Sequence, residues 1–489
     1  MLNRKTANMF ILALFLATIT GGTNMIEYTD LATNPDGTVR GLKKKHVQMI
    51  AIGGTIGTGL FLGAGNSIAK TGPSILVVYA ILGAFFFLMM RGIGEMLYAD
   101  PTQHTFVSFI SRYVGAGAGY FAGWSYWIGL TFVAMAELTA VSTYVKFWFP
   151  DWHTWLIQIV FLAILTLVNL VAVKIFGETE YWFAMIKIIA ILAMIATGLF
   201  LIFTGFEAPA AGGHTIASFG NITHNFSLFP NGPAMFFAAF PMVFFAFQGM
   251  EFVGITTAET QNPRQVLPRA INTIIFRILI FYLGAMIIIM SIINWHVIAK
   301  TPGQSPFVMV FELAGFKAAA TAINFVVLTS AASALNSALY SAGRHFYQLA
   351  KESNTTIMAP FGKISKLGIP ANAIIFTAVL VLFSPIISAL PQITSAFSFI
   401  TAISSNMYII VYGLTMYAHR KFRESADFLP DGFKMPGYKV TSPLTLLFFV
   451  AIYFSLFFQS DTRMSAIGAI IFTVVFGTLV HQRFKNTKN

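Results

Sequence analysis

Apolar residues run along this chain in blocks of about 20, separated by short polar segments. A helix of that length rises far enough to cross the ~30 Å hydrocarbon core of a bilayer. Twelve such runs are readable, at about 47–70, 73–98, 118–147, 154–174, 182–206, 234–258, 271–293, 318–349, 371–390, 393–416, 441–459 and 464–482. Runs three and eight are longer than the core is thick and predict tilted helices.

Composition removes the soluble alternative. Of 489 residues, 56% are hydrophobic and 10% charged, whereas a soluble globular chain carries roughly 25% charged residues. The pattern predicts an all-α polytopic membrane protein, with the lipid bilayer as its surroundings. The net charge of +12 does not point to a nucleic-acid partner, because the basic residues lie between the apolar runs, as membrane topology requires. With no cysteine in the chain, disulfides, thiolate metal sites and cysteine catalysis are excluded.

Charge also orients the helices. Arg40, Lys43, Lys44 and Lys45 precede the first run, and Lys351, Lys363 and Lys366 follow the eighth. Arg420, Lys421, Arg423, Lys434 and Lys439 follow the tenth, and Arg483, Lys485 and Lys488 lie in the tail. With twelve spans all four groups fall on one side, while the segment 207–233 has no Lys or Arg. The positive-inside rule then puts both termini in the cytoplasm and 207–233 outside. Residues 1–46 form an N-terminal cytoplasmic segment. Its "NMFILALFLATITGG" resembles a signal sequence but is short for a span and lacks a clear small-x-small cleavage site. Two readings stand: Met25 is the true start and 1–24 is upstream sequence, or the stretch is an interfacial helix.

The stretch "IGGTIGTGLFLGAG", Ile52 to Gly65, places six glycines inside the first run. Glycine in a helix interior costs about 1 kcal/mol relative to alanine. One reading is close helix–helix packing, which small residues permit. The other is a broken helix. A break exposes main-chain groups that lipid cannot satisfy, so it occurs where a cavity or ligand does. One half-helix offers N–H groups to an anion and the other offers carbonyls to a cation, which fits a zwitterionic amino acid. Run six, "FPMVFFAFQGMEFVGITTAET", is also interrupted, by Gly249 and Gly254, with Gln248 and Glu251 beside the first. Runs one and six correspond if spans 1–5 and 6–10 are repeats, and paired broken segments point to a transporter binding site.

The motifs "GLKKKHVQMIAIGGTIGTGLFLGAG", "RGIGEM", "FGETEYWFAMIKI", "FAFQGMEFVGITTAETQNPRQVLPRAIN" and "LTSAASALNSALYSAGR" resemble the bacterial amino acid transporter family of the amino acid–polyamine–organocation superfamily. The similarity runs from about residue 40 to the last span. "SPFVMVF", "AINFVVLTSAASALNS", "EYWFAMIKI" and "DTR" at 461–463 carry a closer match to the branch that takes D-serine, D-alanine and glycine. The resemblance implies twelve transmembrane helices in a 5+5 inverted-repeat (LeuT-type) fold with two additional helices, in a bacterial plasma membrane. The expected units are repeat one at 47–206, the external loop at 207–233, repeat two at 234–416, and spans eleven and twelve with the tail at 417–489. The resemblance also implies alternating access, proton-coupled uptake and a substrate bound between spans one and six. By position, main-chain N–H groups of Gly57, Thr58 and Gly59, next to Ile56, would hold the substrate carboxylate. The carbonyls of Thr55, Phe245 and Gln248, beside Gly249, would accept from its ammonium. Phe245 and Phe247 would be aromatic walls or a gate.

Charges inside membrane helices are expensive and usually functional. Lys187 reads either as a snorkelling lysine or, as in proton-coupled relatives, as a fixed cation in place of sodium. Glu251 reads as a carboxylate holding the unwound turn or as a proton-sensitive gate. Glu137 either faces the cavity or pairs with Lys187. Glu95, near the inner end of span two, reads as part of an ion pair. Thr329, Ser330, Ser333, Asn336 and Ser337 of span eight either bond between helices or line the cavity. Ala338 is small where some relatives use a large aromatic. No cavity-facing segment supplies a strong acid suited to a basic side chain, which favours small neutral substrates. An intramembrane enzyme lacks its motifs here: there is no H-E-x-x-H, no paired aspartates in adjacent spans and no mid-membrane Ser/His pair. Of the nine histidines, eight fall in loops or near span ends, and the exception, His345, sits near the inner end of span eight. No catalytic residue, metal or cofactor is expected. The expected activity is proton-coupled import of D- and L-alanine, glycine and D- and L-serine. The alternative is a sodium-coupled transporter or exchanger of other amino acids on the same fold.

Overall fold

The computed structural model describes residues 56–101, 103, 105–170, 173–210, 213–224, 226–252, 263–353, 355–365, 368–390, 395–458 and 460–486. Thr55, Gly254, the N-terminal segment 1–46 and its basic residues lie outside them. Among the described residues, nine helices are long and apolar enough to cross a membrane, and Thr154–Asn169 and Pro233–Phe247 are shorter apolar helices.

The first of the nine is an apolar stretch of 42 residues, Thr58–Ala99, twice what a bilayer needs. Gly72 divides it: its φ of +53° suits glycine and ends a helix. On one side lie α1 (Thr58–Phe61) and α2 (Gly63–Thr71), on the other α3 (Ile75–Ala99). After α4 (Val107–Tyr113) comes α5 (Ala116–Lys146), 31 residues long, followed by α6 (Thr154–Asn169) and α7 (Val173–Phe203). A two-stranded antiparallel hairpin follows, Glu207–Ala210 with Gly213–Ile216, Glu207 opposite Ile216. The apolar periodicity of the helices gave no sign of this hairpin in the segment 207–233.

The second part of the chain continues through α8 (Pro233–Ala238), α9 (Phe240–Phe247) and α10 (Pro263–Arg277). A π-helical turn, Ile278–Gly284, joins α10 to α11 (Ala285–Ile292). Then come α12 (Lys317–Glu352), 36 residues long, α13 (Ala371–Val381), α14 (Phe383–Ala389), α15 (Ala396–Arg423), α16 (Tyr438–Ser455) and α17 (Ser460–Asn486).

Burial ranks these helices. In α5, 83% of the most apolar window is buried, against 22% in α17, so α5 is the axis and α17 the periphery. α12 and α15 pack along α5. The outer faces expose Phe200, Phe203, Leu447 and Val474, a surface suited to hydrocarbon. Helices in lipid gain no hydrophobic drive toward one another, so packing rests on close approach at small residues and on internal hydrogen bonds. Gly129 of α5 faces the Tyr408 ring, and a Cβ there would lie 2.8 Å from it. Buried hydroxyls bond to the carbonyl one turn back, as Ser125 does to Phe121 at 2.9 Å.

Charged groups tie one end of the bundle. Glu95, at the end of α3, pairs with Arg423 at the end of α15. It also meets His419 Nε2 at 3.1 Å and accepts from the Met435 N–H at 2.8 Å. This agrees with the ion-pair reading of Glu95. It also shows His419 fully buried, a histidine the chain position alone left at a span end. Arg112 joins Asp100 and Asp427 at 3.0 and 2.8 Å. The Tyr113 hydroxyl donates to Asp427 at 2.8 Å; partial burial and then this carboxylate push its pKa up to about 12. Arg483 of α17 reaches the Ser353 carbonyl after α12. At the other end of α3, Asn231 donates to the Ala69 and Lys70 carbonyls at 3.0 and 3.1 Å, and Gly72 packs on Trp295 and Pro230.

Candidate functional site

Two short helices end at the same depth of the bundle and face each other. α1 begins after Gly57, whose ψ of −157° is not helical. α9 ends at Phe247, after which Gln248 is extended (ψ 149°) and Gly249 has a φ of +89°. That positive φ is the local reason for a glycine here, since a Cβ would strain it.

The freed main-chain groups have identifiable partners. The Ile56 carbonyl accepts from Ser330 Oγ of α12 at 2.8 Å. The Ala246 carbonyl accepts from the Tyr282 hydroxyl, carried on the π-helical turn, at 2.9 Å. The Thr58 N–H donates to the Glu137 carboxylate of α5, at 3.3 and 3.4 Å to its two oxygens. Glu137 therefore stands at the N-terminal end of the half-helix, where N–H groups and the helix dipole favour negative charge.

Around the second break, Glu251 is fully buried and caged. Oε1 accepts from the Tyr126 hydroxyl at 3.1 Å. Oε2 accepts from Tyr412 at 2.7 Å and from the Gly249 N–H at 3.0 Å. Gln248 is held on α15: Ser404 Oγ donates to its Oε1 at 2.9 Å, and its Nε2 donates to Ser405 at 3.4 Å.

Between the breaks lies a cavity of ≈ 30 Å³ lined by Gly57, Gly59, Val133, Glu137, Phe245, Ala246, Gln248, Gly249, Phe252, Ala334 and Tyr408. The structure thus brings Gly57, Gly59, Glu137, Phe245, Gln248 and Gly249 together, with Ile56 and Thr58 buried beside them. It does not bring Phe247 there. That ring stacks on Tyr282, centroids 4.9 Å apart, and packs against Phe86 and Tyr79. Two residues along a helix turn through about 200°, so Phe245 and Phe247 cannot face one cavity, and only Phe245 is its wall.

Lys187 is also corrected in one respect. It is fully buried, so it does not snorkel. Among the described residues it forms an ion pair with Glu180 of its own helix, at 4.0 Å, and none with Glu137. Glu180 was readable, seven residues or about two turns before Lys187 on one helical face. Tyr126 and Tyr412 carried no such signal, since they lie 125 and 161 residues from Glu251 in the chain.

The span-eight residues divide in their partners. Ser330 and Ser333 bond across helices, and Asn336 accepts from Asn169 of α6 at 2.7 Å. Thr329 returns to its own helix at Val326. A second, larger cavity of ≈ 510 Å³ opens beside α4, the start of α5 and the end of α12, and Tyr126 forms part of its wall.

The glycine question has a divided answer. A Cβ on Gly57 would lie 2.6 Å from Glu137 Oε1. A Cβ on Gly59 would lie 2.5 Å from the Ala246 Cα, and on Gly65 2.7 Å from the Pro302 carbonyl. Gly57 meets a side chain of the cavity, while Gly59 and Gly65 let main chains approach. Gly59→Ala therefore opposes two backbones that cannot yield. It is expected to destabilise the protein by about 1–3 kcal/mol, read as a lower melting temperature in detergent. An unchanged melting temperature would show that α1 and α9 can separate freely.

Among known proteins, the family model described as amino acid permease matches residues 46–488. The DL-alanine permease SerP2 of Lactococcus lactis subsp. cremoris (strain MG1363) is 51% identical over 438 residues, covering 90% of this chain and 94% of that protein. Serine permease SerP1 of the same strain is 49% identical, covering 90% and 97%. The D-serine/D-alanine/glycine transporter of Escherichia coli (strain K12) is 40% identical, covering 90% and 92%.

Proposed function

The chain belongs to the amino acid permease family, and we propose on that premise that it imports small neutral amino acids with protons by alternating access. It is a multi-pass bacterial membrane protein and not an enzyme. The proposed substrates are alanine, glycine and serine, D-isomers included. The substrates in the names of the three relatives support this range.

The observation that carries the reading is the ≈ 30 Å³ cavity between two broken helices, with Glu137 resting on the Thr58 N–H. A cavity this small admits a methyl or hydroxymethyl side chain after modest opening and penalises a large one. In the proposed cycle the substrate carboxylate takes the N–H groups at Gly57, Thr58 and Gly59 as Glu137 withdraws. The carbonyls of Phe245, Gln248 and Thr55 accept from the ammonium. Phe245 closes over the side chain, and Glu251 holds the unwound turn in one state and releases it in another. A ligand shifts such an equilibrium only by its difference in affinity for the two states, which closure around the substrate supplies.

Nine long helices, two shorter apolar ones and the division of the first at Gly72 support twelve spans in a 5+5 arrangement plus two. The basic ends gathered near Glu95 and Arg423 support placing both termini in the cytoplasm. Sodium coupling is the second reading, since the span-eight hydroxyls would suit that ion. Against it, Ser333 Oγ already accepts from Lys187 Nζ at 2.9 Å.

The test is uptake of labelled glycine, D-alanine and lysine into sodium-free proteoliposomes with an inward proton gradient. Accumulation of the first two without lysine is the expected result. Uptake that begins only on adding sodium overturns the coupling ion, and uptake of lysine alone overturns the substrate class.

A further inference from the structure

Glu180 has no place in the cycle above, yet it is fully buried at the start of the apolar part of α7. Its carboxylate lies 4.0 Å from Lys187 Nζ, and the Ser333 hydroxyl of α12 bridges them. Lys187 donates to Ser333 Oγ at 2.9 Å, and Ser333 donates to the Glu180 oxygens at 2.8 Å. A hydroxyl has one proton and two lone pairs, so it serves as acceptor from the ammonium and donor to the carboxylate at once. The polarity of the chain, from ammonium to hydroxyl to carboxylate, is consistent throughout.

α7 itself also carries Lys174 and Glu178; among the described residues, the helices packed on it add little charge. The elements packed on α7 are α6, the π-helical turn, α11 and α12. The first three contain no Asp, Glu, Lys, Arg or His, and the π-helical turn contributes only Tyr282 as a titratable group. On α12 the charged and titratable residues, Lys317 and then Tyr340 to Glu352, lie toward its ends. Among the described residues, Glu137 of α5 is a second carboxylate whose charge bears on Lys187.

We propose that Glu180 is the resident counter-ion of Lys187 and that Glu180, Ser333 and Lys187 form one proton-sensitive lock between α7 and α12. This rests on the proton-coupled reading of the preceding subsection and adds Glu180 and Ser333 to it. A lone ammonium in an apolar interior loses its proton or its place. With Glu180 the unit is neutral when one group is an ammonium and the other a carboxylate. One proton added to the carboxylate takes the unit to +1, and one proton removed from the ammonium takes it to −1. Either change removes the charge pairing across Ser333 and leaves only weaker hydrogen bonds that lack charge assistance on one side.

The lock has a mechanical outlet. Ser330, three residues before Ser333 and so on the same face of α12, holds the Ile56 carbonyl at the first helix break at 2.8 Å. A shift of α12 relative to α7 therefore reaches the main chain that borders the substrate cavity.

The test compares wild type, Glu180→Gln, Glu180→Asp and the double variant E180Q/K187M in sodium-free proteoliposomes. The readouts are D-alanine accumulation under an imposed pH gradient and the pH profile of D-alanine counterflow. One pH unit drives about tenfold accumulation when one proton accompanies each substrate. Glu180→Gln is expected to lose that accumulation and flatten the profile. Glu180→Asp, which keeps the charge and withdraws it by one methylene, is expected to accumulate with a shifted profile. E180Q/K187M removes both charges together, so it is expected to fold, exchange and not accumulate.

A Glu180→Gln protein with wild-type accumulation and profile overturns the proposal and leaves proton coupling intact. If Glu180→Gln does not fold, an unshifted profile in Glu180→Asp overturns it. Failure of wild type to accumulate overturns the proton-coupled reading and this inference with it.

Discussion

Lys187→Ala is expected to abolish proton-driven accumulation of small amino acids while some substrate binding persists. In wild type, one inward pH unit is worth ~1.4 kcal/mol, about tenfold accumulation at one proton per substrate; the variant should equilibrate and stop. The lysine is fully buried, bonded to Ser333 and paired with Glu180, and it does not line the ≈ 30 Å³ cavity. Its removal should therefore spare contacts to substrate and strike coupling. Truncating one member of a buried pair also costs about 3–5 kcal/mol of stability where the other stays charged, so a lower melting temperature is expected alongside. Uptake by the variant that follows the pH gradient as wild type does would remove Lys187 from the mechanism.

Gly57→Leu is expected to eliminate substrate binding, a loss of about 100-fold or more, equivalent to about 2.7 kcal/mol. A Cβ at Gly57 falls 2.6 Å from Glu137 Oε1 and 3.3 Å from the Ala334 Cβ. Gly57 lines the cavity of ≈ 30 Å³, which is too small to take a leucine side chain and a substrate together. Ligand-induced change in melting temperature, with glycine as ligand, reads the effect directly. A variant that binds normally would return Gly57 to the packing role that Gly59 and Gly65 already fill.

The helices were legible because lipid demands long apolar runs. The run at 118–147 is the helix Ala116–Lys146, and the run at 318–349 is Lys317–Glu352. The break in run six was legible for a related reason: Gln248, Gly249 and Glu251 are wrong for a lipid-facing helix. The sense of each side chain was harder to read. Phe245 and Phe247 look equivalent in sequence, and helix phase sends one to the cavity and the other to the Tyr282 ring. The partners of Glu137 and Glu251 come from helices distant in the chain, and no local pattern announces them. Glu180 is the opposite case. Its spacing from Lys187 is present in the sequence, but the interval of seven residues is read only when the helix is already assumed.

The π-helical turn at Ile278–Gly284 left no sequence mark either, although it carries Tyr282 to the Ala246 carbonyl. Such turns recur where function needs a local adjustment, and here the adjustment satisfies a carbonyl near the helix break.

The central claim is that substrate and proton move together. The most direct measurement places a pH-sensitive dye inside sodium-free proteoliposomes, with equal pH on both sides, and adds D-alanine outside. The account predicts acidification of the lumen that follows D-alanine entry, with none on adding lysine. Entry of labelled D-alanine with no change in internal pH would contradict it.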